Sequence, residues 1–259
     1  MNPNQPLNVL IVGGSDGIGL ETGALLCERG HCVTLVARDF EHKPERALRI
    51  IARLNQTYGD AQCRLIRQDV SRLEELESFS KGVKERVGPL DGFVYCAGAQ
   101  KTLPLAMTKP AAVQELFTLN TFAAMELVRC FSKVGFVRAG ASFVLLSSLA
   151  PHESSPGKSA YAASKAALEG FVASASTELM QKNIRLNAIA PGIVKTSMSE
   201  GFLSKMTVDQ VRALEDTYPL GFGEPEDVAW MIEFLLSPRS RWVSGKTFLI
   251  DGGHLPGGK

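Results

Sequence analysis

No apolar run in the sequence approaches the ~20 residues that span a bilayer. Its start, MNPNQPLNVLIVGG, lacks the basic segment and long apolar core of a secretory signal. The five cysteines (27, 32, 63, 96 and 130) form no C-x-x-C pair, which argues against a zinc ribbon or a disulfide frame. Most sit inside apolar runs, as buried thiols in a reducing compartment do. The four histidines are scattered, which argues against a metal centre. A net charge of +1 offers no bulk attraction to nucleic acid or anionic membrane. Repeats, low-complexity tracts and an interdomain linker are also missing. The expectation is a cytoplasmic protein with no metal, nucleic-acid or membrane partner.

What is present is an alternation. With 259 residues, 45% of them apolar and 21% charged, the chain has ample core for one large α/β unit. Strand-length apolar runs lie at Asn8–Val12, Cys32–Ala37, Cys63–Arg67, Gly92–Cys96, Ser142–Ser147, Arg185–Ala190 and Thr247–Ile250. Helix-like segments fall near Gly17–Arg29, Pro44–Tyr58, Arg72–Val87, Ala111–Val137, Tyr161–Lys182 and Glu224–Leu236. Continuously apolar strands belong in a sheet buried on both faces, and strand–helix alternation calls for parallel crossovers. The expected fold is α/β and doubly wound: a mostly parallel seven-stranded sheet with helices on both faces, one domain over residues 1–259. The one long stretch without a strand, Gly192 to Gly223, is either a small inserted lobe or a lid.

The first strand runs into VGGSDGIG, with Gly13, Gly17 and Gly19 ahead of a helix. Glycines there let backbone N–H groups approach a pyrophosphate at the helix N-terminus; the alternative is a glycine-rich turn with no ligand. A carboxylate ending the second strand would grip a ribose 2′-OH and repel a 2′-phosphate. Here that position is Ala37, followed by Arg38, whose fork suits a phosphate. This favours NADP(H), with NAD(H) possible. Asp39 stands ready to pair with Arg38, and Asp16 puts a negative charge in the phosphate turn. Asp69-Val70 closes the third strand, where Asp69 could accept from an adenine amino group or cap the helix at Arg72. Ala97-Gly98 follows the fourth strand and leaves room for a ribose. Asn120, inside LFTLNTFAAMEL, is a poor helix-interior residue and marks a bend, a bound water or a functional contact.

Tyr161 and Lys165 stand one helical turn apart in SAYAASKAALEGF, so their side chains share a face. An ammonium there favours phenolate over phenol. Bringing a tyrosine from its ordinary value near 10 to neutrality takes about 4 kcal/mol, which helix spacing alone does not supply; a dry site and further positive charge are needed. Taken alone, the pair is equally a surface Tyr and Lys.

Together, Gly13-x-x-x-Gly17-x-Gly19, Asp69, Ala97-Gly98, Asn120, Ser148, Tyr161-x-x-x-Lys165 and Pro191-Gly192 occur in an order and spacing that resembles the short-chain dehydrogenase/reductase family, in its ~250-residue Rossmann branch. The resemblance runs from Val9 to Gly253 and is similar in general pattern to 3-oxoacyl-[acyl-carrier-protein] reductases. It implies a nicotinamide cofactor and a carbonyl or acyl substrate. By that resemblance Ser148 would hold the substrate oxygen and Tyr161 would pass the proton. Lys165 would bind the nicotinamide ribose and depress the Tyr161 pKa, and Asn120 would hold a water linking Lys165 to solvent. Gly13, Ser15, Gly17, Ile18 and Gly19 would cradle phosphates and ribose; Asp69 and Val70 would face the adenine; Ile193 and Thr196, after Pro191 and Gly192, would meet the nicotinamide. A homo-oligomer, tetramer or dimer, is implied as well.

The chain departs from the pattern in two places: Val12 stands for the usual Thr, and Tyr95-Cys96 for an Asn pair that braces the sheet. A related enoyl-reductase branch places its Lys seven residues after the Tyr, where this chain has Leu168. The reading is therefore an NADP(H)-dependent ketone or 3-oxoacyl reductase. The alternatives are an NAD-dependent alcohol or sugar dehydrogenase and a catalytically idle cofactor-sensing or scaffolding protein. Substrate contacts are expected from Ala99–Met107, Leu149–Lys158 and the stretch after Thr196, where Met198, Phe202, Leu203 and Met206 suit an apolar or acyl chain. His152 and Glu153 are candidates for polar recognition.

Overall fold

The computed structural model describes residues 5–153 and 155–254. Seven strands, β1 (Asn8–Val12), β2 (Cys32–Ala37), β3 (Cys63–Arg67), β4 (Leu90–Tyr95), β5 (Val137–Leu146), β6 (Arg185–Pro191) and β7 (Thr247–Ile250), form one sheet. Their order is β3-β2-β1-β4-β5-β6-β7, parallel at every pairing. The connection direction reverses between β1 and β4, so a crevice opens at the carboxyl ends of these two strands. The helices are α1 (Gly17–Glu28), α2 (Glu45–Gln62), α3 (Leu76–Val87), α4 (Pro110–Phe117), α5 (Ala123–Phe131), α6 (Ser159–Met180), α7 (Ser197–Leu203), α8 (Val208–Glu215) and α9 (Pro225–Leu236).

Side chains alternate across the sheet and divide the core in two. Leu10, Val12, Phe93, Tyr95, Phe143 and Leu145 face α3, α5 and α6. Val9, Ile11, Val33, Leu35, Val94 and Val144 face α1, α2 and α9. Each fully buried Leu, Val or Phe contributes about 1.5–3 kcal/mol. Burial on both faces therefore outweighs helix propensity in holding the layers together. Among the described residues, no helix is long and apolar enough to cross a membrane.

The expected strands agree with the structure to within a residue or two, except that β5 starts earlier. The segment expected to be helical over Ala111–Val137 ends at Phe131. Beyond it, Phe136 N–H bonds the Lys133 carbonyl at 3.1 Å and Gly135 adopts φ +80°, which closes a turn and lets β5 begin at Val137. Helical spacing of apolar residues through KVGFV hid that break. The 193–223 stretch folds as α7 and α8, each opened by a capping box (Thr196 with Ser199, Thr207 with Gln210), and a single bridge joins Val194 to Gly223.

Both departures from the family pattern find local substitutes. At Val12 no hydroxyl is needed, because the Val36 carbonyl accepts from Gly13 N–H at 2.8 Å and Gly14 N–H at 3.1 Å. Tyr95, fully buried, donates its hydroxyl to the Leu119 carbonyl at 2.6 Å and so ties β4 to the turn that carries Asn120. Removing that hydroxyl should leave the Leu119 carbonyl short of a partner. Tyr95→Phe is expected to lower stability by about 1–2 kcal/mol in urea unfolding. An unchanged midpoint would show that Leu119 finds another donor.

Candidate active site

Every expected catalytic or cofactor-binding residue except Asn120 lines one cleft of about 820 Å³ at the carboxyl ends of the strands. Arg38 stands at the end of β2, and Ser148, Tyr161 and Lys165 gather where β5 meets α6.

The glycine turn forms the floor. A Cβ on Gly13 (φ +85°) would stand 2.5 Å from the Ala97 nitrogen, so only glycine lets β1 and β4 close up at this point. Asp16 caps α1, its Oδ1 accepting Gly17 N–H at 2.7 Å. Its Oδ2 accepts a short bond from the Ser197 hydroxyl at the start of α7. The negative charge in the phosphate turn therefore does structural work, pinning the base of the α7–α8 lobe to α1.

At the end of β2, Asp39 does not pair with Arg38. Its carboxylate accepts from Glu41 N–H at 2.8 Å and His42 N–H at 3.1 Å and contacts the His42 ring, and these bonds hold it below the usual carboxylate range. Glu41 pairs with Arg67. Asp39, Glu41 and His42 thus make a self-satisfied surface turn, despite lying close enough for a cation. Asp69 likewise closes on its own loop, accepting from Ser71 N–H at 3.0 Å and the Ser71 hydroxyl at 2.7 Å. Ser71 first, then Arg38 and Arg72, lower its pKa. Lys43 joins Arg38 in lining this end of the cleft. The sequence carried no signal for Lys43, which sits in an irregular loop.

At the other end Tyr161 is 7% exposed and Lys165 4%. Burial raises the phenol pKa, opposed by the Ser148 hydroxyl beside it. Lys165 Nζ donates to the Leu146 carbonyl at 2.7 Å. The expectation that Lys165 depresses the Tyr161 pKa is therefore not met in this arrangement: the ammonium is turned to the end of β5 and desolvation of the phenol dominates. Burial likewise pushes Lys165 down to about 8, with Cys96 and Glu169 opposing.

Asn120 lies in a π-helical turn, Thr118–Phe122, behind the cleft and fully buried. Its Oδ1 accepts from Ala99 N–H at 2.8 Å, and its Nδ2 donates to the Ala99 carbonyl and the Ser164 hydroxyl, each at 3.0 Å. The side chain is thereby spent on bracing the loop after β4 against α6. Thr121 adds a bond to the Ser164 carbonyl at 2.8 Å. The poor helix former marks a real irregularity of the kind π-turns make at functional sites.

Ser147 also lines the cleft, but its hydroxyl is committed to Glu169, which also pairs with His152 at 3.0 Å. His152 is thus turned from the cleft. Of the expected substrate contacts, Ala99, Gln100, Leu149, Ala150, Glu153, Lys158, Met198 and Phe202 line the cleft, whereas Leu203 and Met206 do not. Ser154 lies outside the described residues. Tyr218 was missed: it lines the cleft from the end of the lobe, stacked on His254 with ring centres 4.3 Å apart.

A family model described as enoyl-(acyl carrier protein) reductase matches residues 12–254. Carbonyl reductase family member 4 of Xenopus laevis is 31% identical over 244 residues, 94% of this chain and 95% of that one. A short-chain type dehydrogenase/reductase from Mycobacterium ulcerans superposes with a TM-score of 0.84 at 28% identity, over 96% of this chain and 90% of that one. An NADPH-bound short chain oxidoreductase from Pseudomonas aeruginosa, described as having an atypical catalytic center, gives 0.83 at 28% identity over 95% and 96%.

The buried ammonium sets a pH dependence of stability. The unfolded chain keeps Lys165 protonated to about pH 10.5, whereas the folded chain releases the proton near 8. The charge therefore costs stability fully below about pH 8, on the order of 3 kcal/mol, and the cost fades as pH rises towards 10.5. Losing the bond to Leu146 offsets about 1 kcal/mol of that. Lys165→Met is expected to be more stable than the parent at pH 7, the gap closing between pH 8 and 10.5 in urea unfolding. A gap that stays constant with pH would contradict the assignment.

Proposed function

The chain belongs to the short-chain dehydrogenase/reductase family, and we propose that within it the protein is an NADP(H)-dependent reductase of a ketone or 3-oxoacyl substrate. Membership makes it an oxidoreductase working with a nicotinamide dinucleotide on a small molecule. The observation that carries the finer reading is the buried Tyr161 phenol beside Ser148, with Lys165 one turn further along α6, in the same cleft as the glycine turn.

The cleft suits a dinucleotide. The close Gly13–Ala97 approach leaves backbone alone as its floor, and a Cβ on Gly17 would meet Thr196 at 2.9 Å. Gly13, Ser15, Gly17, Ile18 and Gly19 would hold phosphates and ribose at the start of α1. Arg38 and Lys43 would meet a 2′-phosphate, with Ala37 offering no carboxylate and Asp39 committed to its own turn. Asp69, Val70, Ala97, Gly98, Pro191, Gly192, Ile193 and Thr196 line the remaining path and would contact the adenine, ribose and nicotinamide. Once bound, the cofactor supplies the hydride.

Ser148 would hold the carbonyl oxygen and Tyr161 would give it a proton as negative charge develops. The buried phenol is protonated, the form a proton donor needs. Lys165 would bind the ribose hydroxyls, and Asn120 would keep the wall behind it in place. Carbonyl chemistry is favoured over C=C reduction because Leu168, at the enoyl-branch lysine position, is fully buried in the core. A cytoplasmic home fits five free thiols. Exposed Trp230 and Phe234 on α9, Trp242 in the loop after it and Leu249 on β7, with Phe122 and Met125 at the start of α5, support a homo-oligomer, tetramer or dimer. The reading takes the chain as one dinucleotide-binding and catalytic domain.

The test is a carbonyl panel, including a 3-oxoacyl thioester, with NADPH and with NADH. Turnover is expected with NADPH, and Arg38→Ala should raise KM for NADPH about tenfold or more while leaving NADH kinetics little changed. NADH preference indifferent to Arg38 would turn the reading to an NAD-dependent dehydrogenase. Cofactor binding with no turnover on any carbonyl would turn it to an idle sensor. Tyr161→Phe should abolish turnover with cofactor affinity nearly unchanged, measured by NADPH fluorescence titration; substantial residual activity would remove Tyr161 as proton donor.

A further inference from the structure

The substrate end of the cleft holds a cation that the hydride chemistry leaves unused. Four cationic side chains line the cleft among the described residues: Arg38 and Lys43 at the β2 end, Lys165 at the end of β5, and Lys158. The Lys158 side chain is only 15% exposed. Its ammonium lies 5.0 Å above the Phe202 ring on α7. Its ion pair is with Glu153 at 3.7 Å, beyond hydrogen-bond distance. Glu153 is already committed, accepting from the Ser155 hydroxyl at 2.6 Å and pairing through its other oxygen with His254 at 3.1 Å. Glu153 is thus shared among Ser155, His254 and Lys158, and among the described residues the Lys158 ammonium makes no closer hydrogen bond. Taking an ammonium this far out of water is unfavourable unless it is paired and hydrogen-bonded.

The position of Lys158 is well determined. Gly157 (φ +78°) packs against Thr102 and Leu103, and its carbonyl accepts Leu103 N–H at 2.9 Å. Lys158 N–H closes a turn on the Ser155 carbonyl at 3.2 Å and the residue caps α6, one turn before Tyr161. We propose that Lys158 anchors a carboxylate on the substrate, so that the protein reduces an oxo acid to a hydroxy acid. The carboxylate docks between Lys158 and the Phe202 edge of the lobe while the ketone faces Ser148 and Tyr161; it takes no part in bond making. A phosphate at the far end of a carrier arm sits too many bonds from its thioester to reach a lysine one turn from Tyr161. This inference rests on the carbonyl-reductase reading and names its substrate class.

Phenylpyruvate, acetoacetate and levulinate, which space ketone and carboxylate differently, are assayed with NADPH against their methyl esters. The wild type is expected to prefer at least one acid by about tenfold or more in kcat/KM. Lys158→Met should bring that ratio close to one, and Lys158→Arg should keep most of it. Ester turnover with no acid preference, or a preference that survives Lys158→Met, overturns the anchor while leaving the reductase standing. Calorimetric binding of the same acids to the NADP⁺-loaded protein judges the anchor without turnover. Acids that bind the wild type about tenfold more tightly than Lys158→Met uphold it; acids that bind neither protein, or both equally, refute it. Failure of every ketone and ester to turn over would instead sink the reductase reading. Inorganic phosphate that displaces the acids in the wild type at lower concentration than they bind would assign the site to phosphate and overturn the carboxylate.

Discussion

A lysine ammonium held out of water beneath the end of β5 is the constraint around which the cleft is built. Lys165 has one hydrogen-bond acceptor among the described residues, the Leu146 carbonyl, and burial pulls its pKa down to about 8. Such a group persists only where neighbouring packing leaves it nowhere else to go. Asn120 and Thr121 both bond Ser164, Ser147 bonds Glu169, and the Ser164 hydroxyl returns to the Tyr161 carbonyl at 2.7 Å. These bonds clamp α6 against β5 and the π-turn on either side of the lysine. The same clamp sets Tyr161 beside Ser148.

The two ends of the cleft are prepared differently. At the β2 end the carboxylates are held by their own turns, Asp39 and Asp69 each accepting from backbone amides close by, which leaves Arg38 and Lys43 without an ion-pair partner among the described residues. At the α6 end Glu153 is shared among Ser155, His254 and Lys158, which leaves Lys158 with a loose ion pair at 3.7 Å. In both places short-range hydrogen bonds orient the carboxylates towards their own loops, so that among the described residues Arg38 and Lys43 form no ion pair and Lys158 only a loose one. Asp16 follows the same rule with a different result: it caps α1 and holds Ser197, so the lobe's position is coupled to the floor on which phosphates would rest.

Much of this was legible in advance. Continuous apolar strands at Val9–Val12 and Phe143–Leu146 can only be buried on both faces, so a parallel, doubly covered sheet followed. Asn120 announced a helix irregularity because its side chain competes for backbone partners, and it occupies a π-turn. Glu169 was also within reach, one turn past Lys165 on the same helix face, though nothing in the sequence said that Ser147 would claim it. The false extension of α5 to Val137 came from apolar spacing that a helix and a turn-plus-strand share; Gly135 decided the matter by taking a left-handed conformation.

By itself the sequence determined the layers, the glycine turn and the order of the polar residues around Tyr161, because these depend on local conformation and apolar periodicity. Which charges remain available was decided only by the tertiary structure. Pairing of Asp39 with its own turn, Asp16 with Ser197, Glu153 with His254 and Lys165 with Leu146 depends on where loops end in space, at distances of two to four ångströms that residue spacing does not encode. An electrostatic site is the remainder after such pairings, and the pairings exist only in the folded chain.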